Sequence, residues 1–313
     1  MKKNITWVTR GKLSNGNELE QFHFKPNTTN RATGSIVSFF HYPIQVKKRP
    51  PKLNGTNAQY YKGIATLTYI LSGEVTQMDK KRGKEKIYSG GLIWVKSGRG
   101  VMYEEVFNTE ANSLRDYVFG MKFWINLPSK IKSEDPAYIK INCEKIPRMC
   151  LGESIGWIKV LLGNYRSYIS ILPTYSRQFI YHISINAGAK FSISTEVLLE
   201  YALFVLGKAL VINGIEYNNG TLIEFEVSET EIEISNISAL PSEIILYGGE
   251  HYSEPITSQE AVFMNSKQEV EKACEDFFRG KYRKNLYDQT PDFLATHLPE
   301  YKNLRRSSFN KES

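Results

Sequence analysis

Cysteine, which forms disulfides, and histidine, which with cysteine ligates most transition metals, are both scarce in this chain. Its 313 residues include five histidines and three cysteines, Cys143, Cys150 and Cys274. The cysteines are odd in number and lack CxxC spacing, so we expect no disulfide framework and a reducing compartment. No two histidines stand two or four residues apart, the spacings that place two imidazoles on one face of a strand or helix.

Long apolar runs and the common catalytic motifs are also missing. No stretch approaches the roughly 18 consecutive apolar residues of a membrane span. The basic N-terminal segment MKKNITWVTRGK lacks the apolar region of a secretory signal. A Walker loop, a GxSxG elbow and a dinucleotide fingerprint are absent. These features predict a cytoplasmic protein without a membrane anchor.

Positive charge is in excess, with a formal net charge of +7 at pH 7. Basic residues cluster at 47–49, at 80–86 and from Lys281 onward. Such clusters are typical of solvated loops, or of a surface that binds nucleic acid or an acidic partner. Neither basic loop carries the interleaved aromatic residues of a single-strand binder, which favours solvated loops. We therefore expect no nucleic-acid partner. We also expect a monomer that has a protein partner or small ligand and no membrane partner.

Strand signals dominate what is present. Two runs of strand formers, 65–75 and 87–95, flank a charged turn that contains Gly83. After residue 151 a similar series of short apolar runs follows, separated by Gly and Asn turns, and YILSGEV in the first half resembles FVLGKALV in the second. This repetition predicts two copies of one β-barrel, packed face to face. Residues 1–34 are predicted to be irregular with one short strand, and Pro43 to end the strand before it.

One helix is predicted, at residues 267–278. Val270, Ala273, Cys274 and Phe277 recur at helical spacing, and Ser266 is a candidate N-cap. The predicted domains are an N-terminal barrel at 1–140, a C-terminal barrel with this helix at 141–282, and a basic tail at 283–313.

Several short motifs occur in the order in which the pirin family carries them. They are TLTYILSGEV (66–75), Trp94, SGRG (97–100), WINLP (124–128), NAGAKF (186–191), GGEHYSEPI (248–256) and VFMN (262–265). The chain resembles that family from about Ile36 to Tyr282. Pirins are bicupins, so the resemblance implies an all-β fold of two tandem cupin-type β-barrels with a short C-terminal α-helix.

The resemblance also implies a place for a metal ion, iron or another divalent ion, which pirins hold in the first barrel with three histidines and one glutamate. Aligned without gaps, these positions carry Gln59, Tyr61, Tyr103 and Glu105. Residues two apart on a strand share a face, so all four can point into one cavity. An amide and two phenols with a reference pKa near 10 are poor replacements for imidazole. We therefore predict a vestigial, hydrogen-bonded pocket with no catalytic residue, no metal and no cofactor.

Two functional hypotheses follow from the resemblance. Some pirins are reported as flavonol-cleaving dioxygenases, and others bind transcription regulators or metabolic enzymes. With three ligand positions changed, a non-catalytic binding or regulatory protein is the first hypothesis. The alternative is a metal-dependent, quercetinase-type dioxygenase, or another enzyme that uses the first-barrel cavity.

Overall fold

The computed structural model describes residues 2–16, 19–25, 32–45, 58–79, 83–109 and 117–279. Within these ranges the chain is mostly β-strand, with a 3₁₀ turn at Cys143–Lys145 and one α-helix, α1 (Lys267–Phe278). No helix in this part of the chain is long and apolar enough to cross a membrane. The predicted basic tail, 283–313, lies outside the described residues.

The described residues of the first half of the chain form twelve strands. In chain order they are β1 (Ile5–Arg10), β2 (Lys12–Gly16), β3 (Leu19–Phe24), β4 (Ile36–Gln45), β5 (Gln59–Tyr61), β6 (Ile64–Ser72), β7 (Glu74–Asp79), β8 (Gly83–Tyr88), β9 (Leu92–Lys96), β10 (Val101–Asn108), β11 (Tyr117–Asn126) and β12 (Ala137–Ile141). A seven-stranded sheet has the order β12-β9-β6-β11-β4-β3-β2, and a four-stranded sheet the order β5-β10-β7-β8. These two sheets form the first barrel.

The second half supplies the remaining strands. They are β13 (Arg148–Gly152), β14 (Gly156–Leu162), β15 (Asn164–Tyr165), β16 (Tyr168–Ile169), β17 (Gln178–Ile185), β18 (Lys190–Ser194), β19 (Leu199–Val205), β20 (Leu210–Ile212), β21 (Ile215–Tyr217), β22 (Thr221–Phe225), β23 (Glu231–Ser235), β24 (Ser242–Glu250), β25 (Thr257–Gln259) and β26 (Val262–Met264). The second barrel has a seven-stranded sheet, β1-β22-β19-β24-β17-β14-β13, and a four-stranded sheet, β18-β23-β20-β21.

The two barrels repeat one architecture, as the sequence predicts. The central order β9-β6-β11-β4 of the first large sheet matches β22-β19-β24-β17 of the second. The large sheets face each other across a shared apolar core, in which the ring of Phe39 lies 4.9 Å from that of Phe204, and Phe123 lies 5.7 Å from Tyr247. Each barrel also has an apolar core of its own. The all-β bicupin prediction is confirmed.

The ends of the chain are exchanged between the barrels. Strand β1 pairs with β22, with Ile5 opposite Phe225, so it completes the sheet of the second barrel. Near the C-terminus, Phe263 donates its backbone N–H to the carbonyl of Lys62 at 2.9 Å, which docks the β25–β26 hairpin on the first barrel. The prediction of an irregular N-terminal segment with one short strand was wrong, because three strands lie there. The boundaries 1–140 and 141–282 stay predictions.

The helix bounds predicted from the sequence are confirmed, whereas the predicted end of a strand at Pro43 was wrong. Helix α1 has the predicted bounds, and Ser266 and Glu269 form a reciprocal capping box at its start. Its residues Val270 and Ala273 are buried, and Phe277 stacks on Tyr60 of the first barrel at 4.6 Å. Strand β4 continues through Pro43 to Gln45, because β3 pairs only as far along β4 as His41 and the strand is an edge beyond it.

Candidate functional site

The structure brings the four predicted site residues together inside the first barrel. Strands β5 and β10 are antiparallel, with Gln59 opposite Tyr103 and Tyr61 opposite Val101. Residues two apart on these strands share the inward face. The rings of Tyr61 and Tyr103 stack with centroids 4.5 Å apart, and both side chains are buried.

A fifth residue, Lys122, occupies the centre of this site. It lies on β11, and its Nζ donates to Oε2 of Glu105 at 2.8 Å and to the hydroxyl of Tyr61 at 2.7 Å. The same nitrogen lies 4.6 Å from the ring centroid of Tyr61 and 4.9 Å from that of Tyr103. The side chains of Lys122 and Glu105 are only 4% and 7% exposed, so this is a buried ion pair enclosed by aromatic rings.

The carboxylate of Glu105 is held from several strands. Its Oε1 accepts hydrogen bonds from Oγ1 of Thr68 at 3.0 Å and from Nε2 of Gln77 at 3.1 Å, while Oε2 accepts from Lys122. Thr68 is on β6 and Gln77 on β7. Both carboxylate oxygens are therefore engaged by donors of the protein itself, which offsets the cost of burying the charge.

The two tyrosines are fixed by further hydrogen bonds. The hydroxyl of Tyr61 donates to Oε1 of Gln59 at 2.8 Å while it accepts from Lys122. The hydroxyl of Tyr103 pairs with Oγ1 of Thr66 at 2.7 Å. The hydroxyls of Tyr61 and Tyr103 and both carboxylate oxygens of Glu105 thus each have a hydrogen-bond partner within the protein.

Burial and charge set the protonation states at the site. Burial alone would lower the pKa of Lys122, but the Glu105 carboxylate, together with the hydroxyls of Tyr61 and Tyr42, holds this pKa above its usual value. Burial raises the pKa of Tyr61 and of Tyr103, which keeps both phenols neutral. The site at neutral pH therefore contains one ammonium, one carboxylate and two neutral phenols.

These residues do not fit the metal that the family resemblance implies. Transition metals need imidazole, thiolate or several carboxylate donors, and this site offers an amide, two neutral phenols and one carboxylate. That carboxylate already binds an ammonium ion. Across the described ranges, no group of three or more His, Cys, Asp and Glu side chains could hold a metal ion.

The described histidines lie away from the site. His41 is buried against Phe119 and Phe204, with ring centroids 4.6 and 5.2 Å away, and its Nε2 has no hydrogen-bond partner. Burial lowers the pKa of His41 to about 4. His182 contacts Tyr69 across the interface between the barrels, with Nδ1 2.9 Å from the hydroxyl.

The corresponding strands of the second barrel carry apolar residues where the first barrel has the ionic cluster of Lys122 and Glu105. Strand order matches β11 with β24 and β6 with β19; Lys122 pairs with Thr68 in the first barrel, and Leu246 pairs with Leu203 in the second. The inward residues of the corresponding strands are apolar and buried: Ile193, Leu203, Ile232, Ile234 and Leu246. The ionic cluster is therefore a property of the first barrel and not a requirement of the cupin fold.

Comparisons with known proteins agree with the fold. Residues 5–125 match the model of the Pirin family, and residues 180–283 match that of the Pirin C-terminal cupin domain. Pirin-1 of Arabidopsis thaliana is 26% identical over 231 residues, which cover 71% of this chain and 76% of that protein. A Pseudomonas aeruginosa protein provisionally named a quercetin 2,3-dioxygenase is 24% identical over 230 residues, which cover 73% of this chain and 79% of the relative.

Solved structures with the same fold are also found. A quercetin 2,3-dioxygenase from Acinetobacter baumannii superposes with a TM-score of 0.80 at 21% identity, covering 90% of this chain and 99% of the other. A bacterial pirin from Escherichia coli, solved in complex with nickel(II), superposes with a TM-score of 0.59 at 15% identity, covering 79% of this chain and 99% of the other. Together with the two matched family models, this repeated barrel architecture shows that the chain belongs to the pirin family of bicupins.

Proposed function

We propose that this pirin-family bicupin is a non-catalytic binding or regulatory protein whose first-barrel site holds no metal ion. The observation that carries the proposal is the ammonium group of Lys122, 2.8 Å from Oε2 of Glu105. A divalent cation on the same carboxylate would stand beside a buried positive charge, where Coulomb repulsion is strong. The other donors, an amide and two neutral phenols, do not offset that repulsion.

The proposal extends to the setting in which the protein acts. We infer a cytoplasmic monomer that works through a protein partner or a small ligand, without contact to nucleic acid or a membrane. Light scattering coupled to size-exclusion chromatography is expected to give the mass of one chain. A stable dimer, or retention on heparin at physiological salt, would contradict this part of the proposal.

Elemental analysis of the purified full chain tests the central claim. We expect no stoichiometric iron, nickel, zinc or copper, also after incubation with each ion followed by desalting. We also expect no oxygen uptake with flavonols. One tightly bound metal ion per chain, together with oxygen-dependent flavonol cleavage, would overturn the proposal. That outcome would favour the quercetinase-type dioxygenase, the activity named for the relatives from Acinetobacter and Pseudomonas.

Two matched variants show which residues exclude the metal. The triple change Gln59→His, Tyr61→His, Tyr103→His supplies three imidazoles but keeps Lys122 on Glu105. We expect this variant to remain without metal, and the quadruple variant that adds Lys122→Gln to take up nickel or zinc. Equal uptake by both variants would show that Lys122 does not exclude the metal.

A further inference from the structure

The burial of Lys122 is unusual because lysine is almost never fully buried unless its charge is paired. Here the pairing is nearly complete. Two of its three N–H donors bind Glu105 and Tyr61, and the centroids of the Tyr61 and Tyr103 rings lie 4.6 and 4.9 Å from Nζ. These contacts recognise the ammonium group itself and not the aliphatic part of the side chain.

The groups around the ammonium are held independently of it. Thr68 and Gln77 fix the carboxylate of Glu105, Gln59 binds the hydroxyl of Tyr61, and Thr66 binds that of Tyr103. The supporting residues belong to three strands, β5, β6 and β7, whereas Lys122 is on β11. Shortening Lys122 therefore leaves the surrounding cage in place, which is the condition for a preorganised binding site.

We propose that the first barrel contains a primary-ammonium site, formed by Glu105, Tyr61 and Tyr103, whose resident ligand is the side chain of Lys122. This inference rests on the proposed absence of a metal ion. The hydrogen bonds to Glu105 and Tyr61 require N–H donors, so the site selects primary ammonium ions over quaternary ones. The negative carboxylate selects a cation over a neutral amide.

Chemical rescue of the full-length Lys122→Ala variant tests the proposal. The truncation removes three methylene groups and the ammonium, which are the heavy atoms of n-propylammonium. We expect n-propylammonium chloride to raise the melting temperature of the variant with saturation, as ligand linkage requires. Tetramethylammonium chloride and sodium chloride at equal ionic strength are expected to give a smaller, non-saturating change, and wild type no selective response.

A double variant identifies the group that binds the added ion. Glu105→Gln with Lys122→Ala keeps the space and removes the carboxylate, so the selective effect of n-propylammonium is expected to disappear. An equal response of Lys122→Ala to all three salts would overturn the proposal, as would a selective response that persists in the double variant. No metal is present in this experiment, so its failure is distinct from a failure of the metal-free assignment.

Nitrogen-15 NMR of wild type keeps the proposal testable if Lys122→Ala does not fold. A hydrogen-bonded, buried ammonium exchanges its protons slowly with water, unlike exposed lysines. Because Lys3 and Lys132 are also buried, the Lys122 signal is assigned by substitution. We expect a protected ammonium signal at neutral pH that is absent from the Lys122→Gln spectrum and weakened in Glu105→Gln. A wild-type spectrum in which no protected ammonium signal is lost on Lys122→Gln would overturn the proposal.

Discussion

Replacing Lys122 with methionine is the sharpest test of the energetics of the first-barrel site. The Nζ–Oε2 distance of 2.8 Å corresponds to an attraction of about 6 kcal/mol at an effective dielectric constant of about 20. Desolvation of both groups offsets much of this attraction in the native protein. Removing the ammonium alone leaves the Glu105 carboxylate buried and uncompensated, so we expect Lys122→Met to lose roughly 3–5 kcal/mol of stability.

The double variant Glu105→Gln with Lys122→Met measures the interaction between the two residues, apart from the effect of each single change. With both charges removed, we expect most of the lost stability to return, which gives a coupling energy of roughly 2 kcal/mol or more. Urea unfolding followed by tryptophan fluorescence measures each variant. The matched control is Lys140→Met, because the side chains of Lys140 and its ion-pair partner Glu85 are 36% and 35% exposed and the pair is expected to contribute less than about 1 kcal/mol.

Two results would refute this reasoning. The first is a Lys122→Met variant that loses no more stability than Lys140→Met, which would mean that the carboxylate is not uncompensated after the change. The second is a double variant whose loss equals the sum of the two single losses, which would mean that Lys122 and Glu105 do not interact.

Three further predictions address other parts of the molecule. Because burial lowers the pKa of His41 to about 4, its neutral form is favoured in the native state, and stability should fall by roughly 2 kcal/mol between about pH 7 and pH 5; denaturation of His41→Phe should show a shallower pH dependence, and an unchanged slope would refute this. A Cβ at Gly63 would lie 1.9 Å from the carbonyl oxygen of Phe263, so Gly63→Ala should destabilise by at least about 2 kcal/mol more than Gly83→Ala, where φ is also positive but the space is open; equal losses in urea unfolding would contradict this. Ser266→Ala should lose about 1 kcal/mol with the capping box, and an unchanged melting temperature would show that the cap is not needed.

The sequence predicts best what depends on neighbouring residues. The bounds of α1 follow from helical spacing and from Ser266 and Glu269, all within a few residues of one another. The repeat of two barrels follows from strand runs and glycine turns of the same kind. Strand β1 could not be predicted in the same way, because its partner β22 lies in the other half of the chain and Val8 interrupts the alternation that Ile5, Thr6 and Trp7 begin.

The candidate site was predicted in part, for a similar reason. Gln59, Tyr61, Tyr103 and Glu105 could be placed on one face because each pair is two residues apart. Lys122 was missed because its partners, Glu105 and Tyr61, lie 17 and 61 residues away, and an apolar run does not show which strand face is inward. A signal was present, since Lys122 is a lone charge two residues before Trp124 in the run YVFGMKFWIN.

The exchange of chain ends has a consequence for how the protein is made. A ribosome releases β1 early, but its partner strand β22 emerges only after β2–β21. The first barrel in turn receives its β25–β26 hairpin and α1 last of all the described segments. We therefore expect neither barrel to be completed as an independent unit during synthesis, and the long-range closure to make folding slow. The described strands of the second barrel are complete once β24 has been translated, whereas the first barrel gains its last described element, α1, after that.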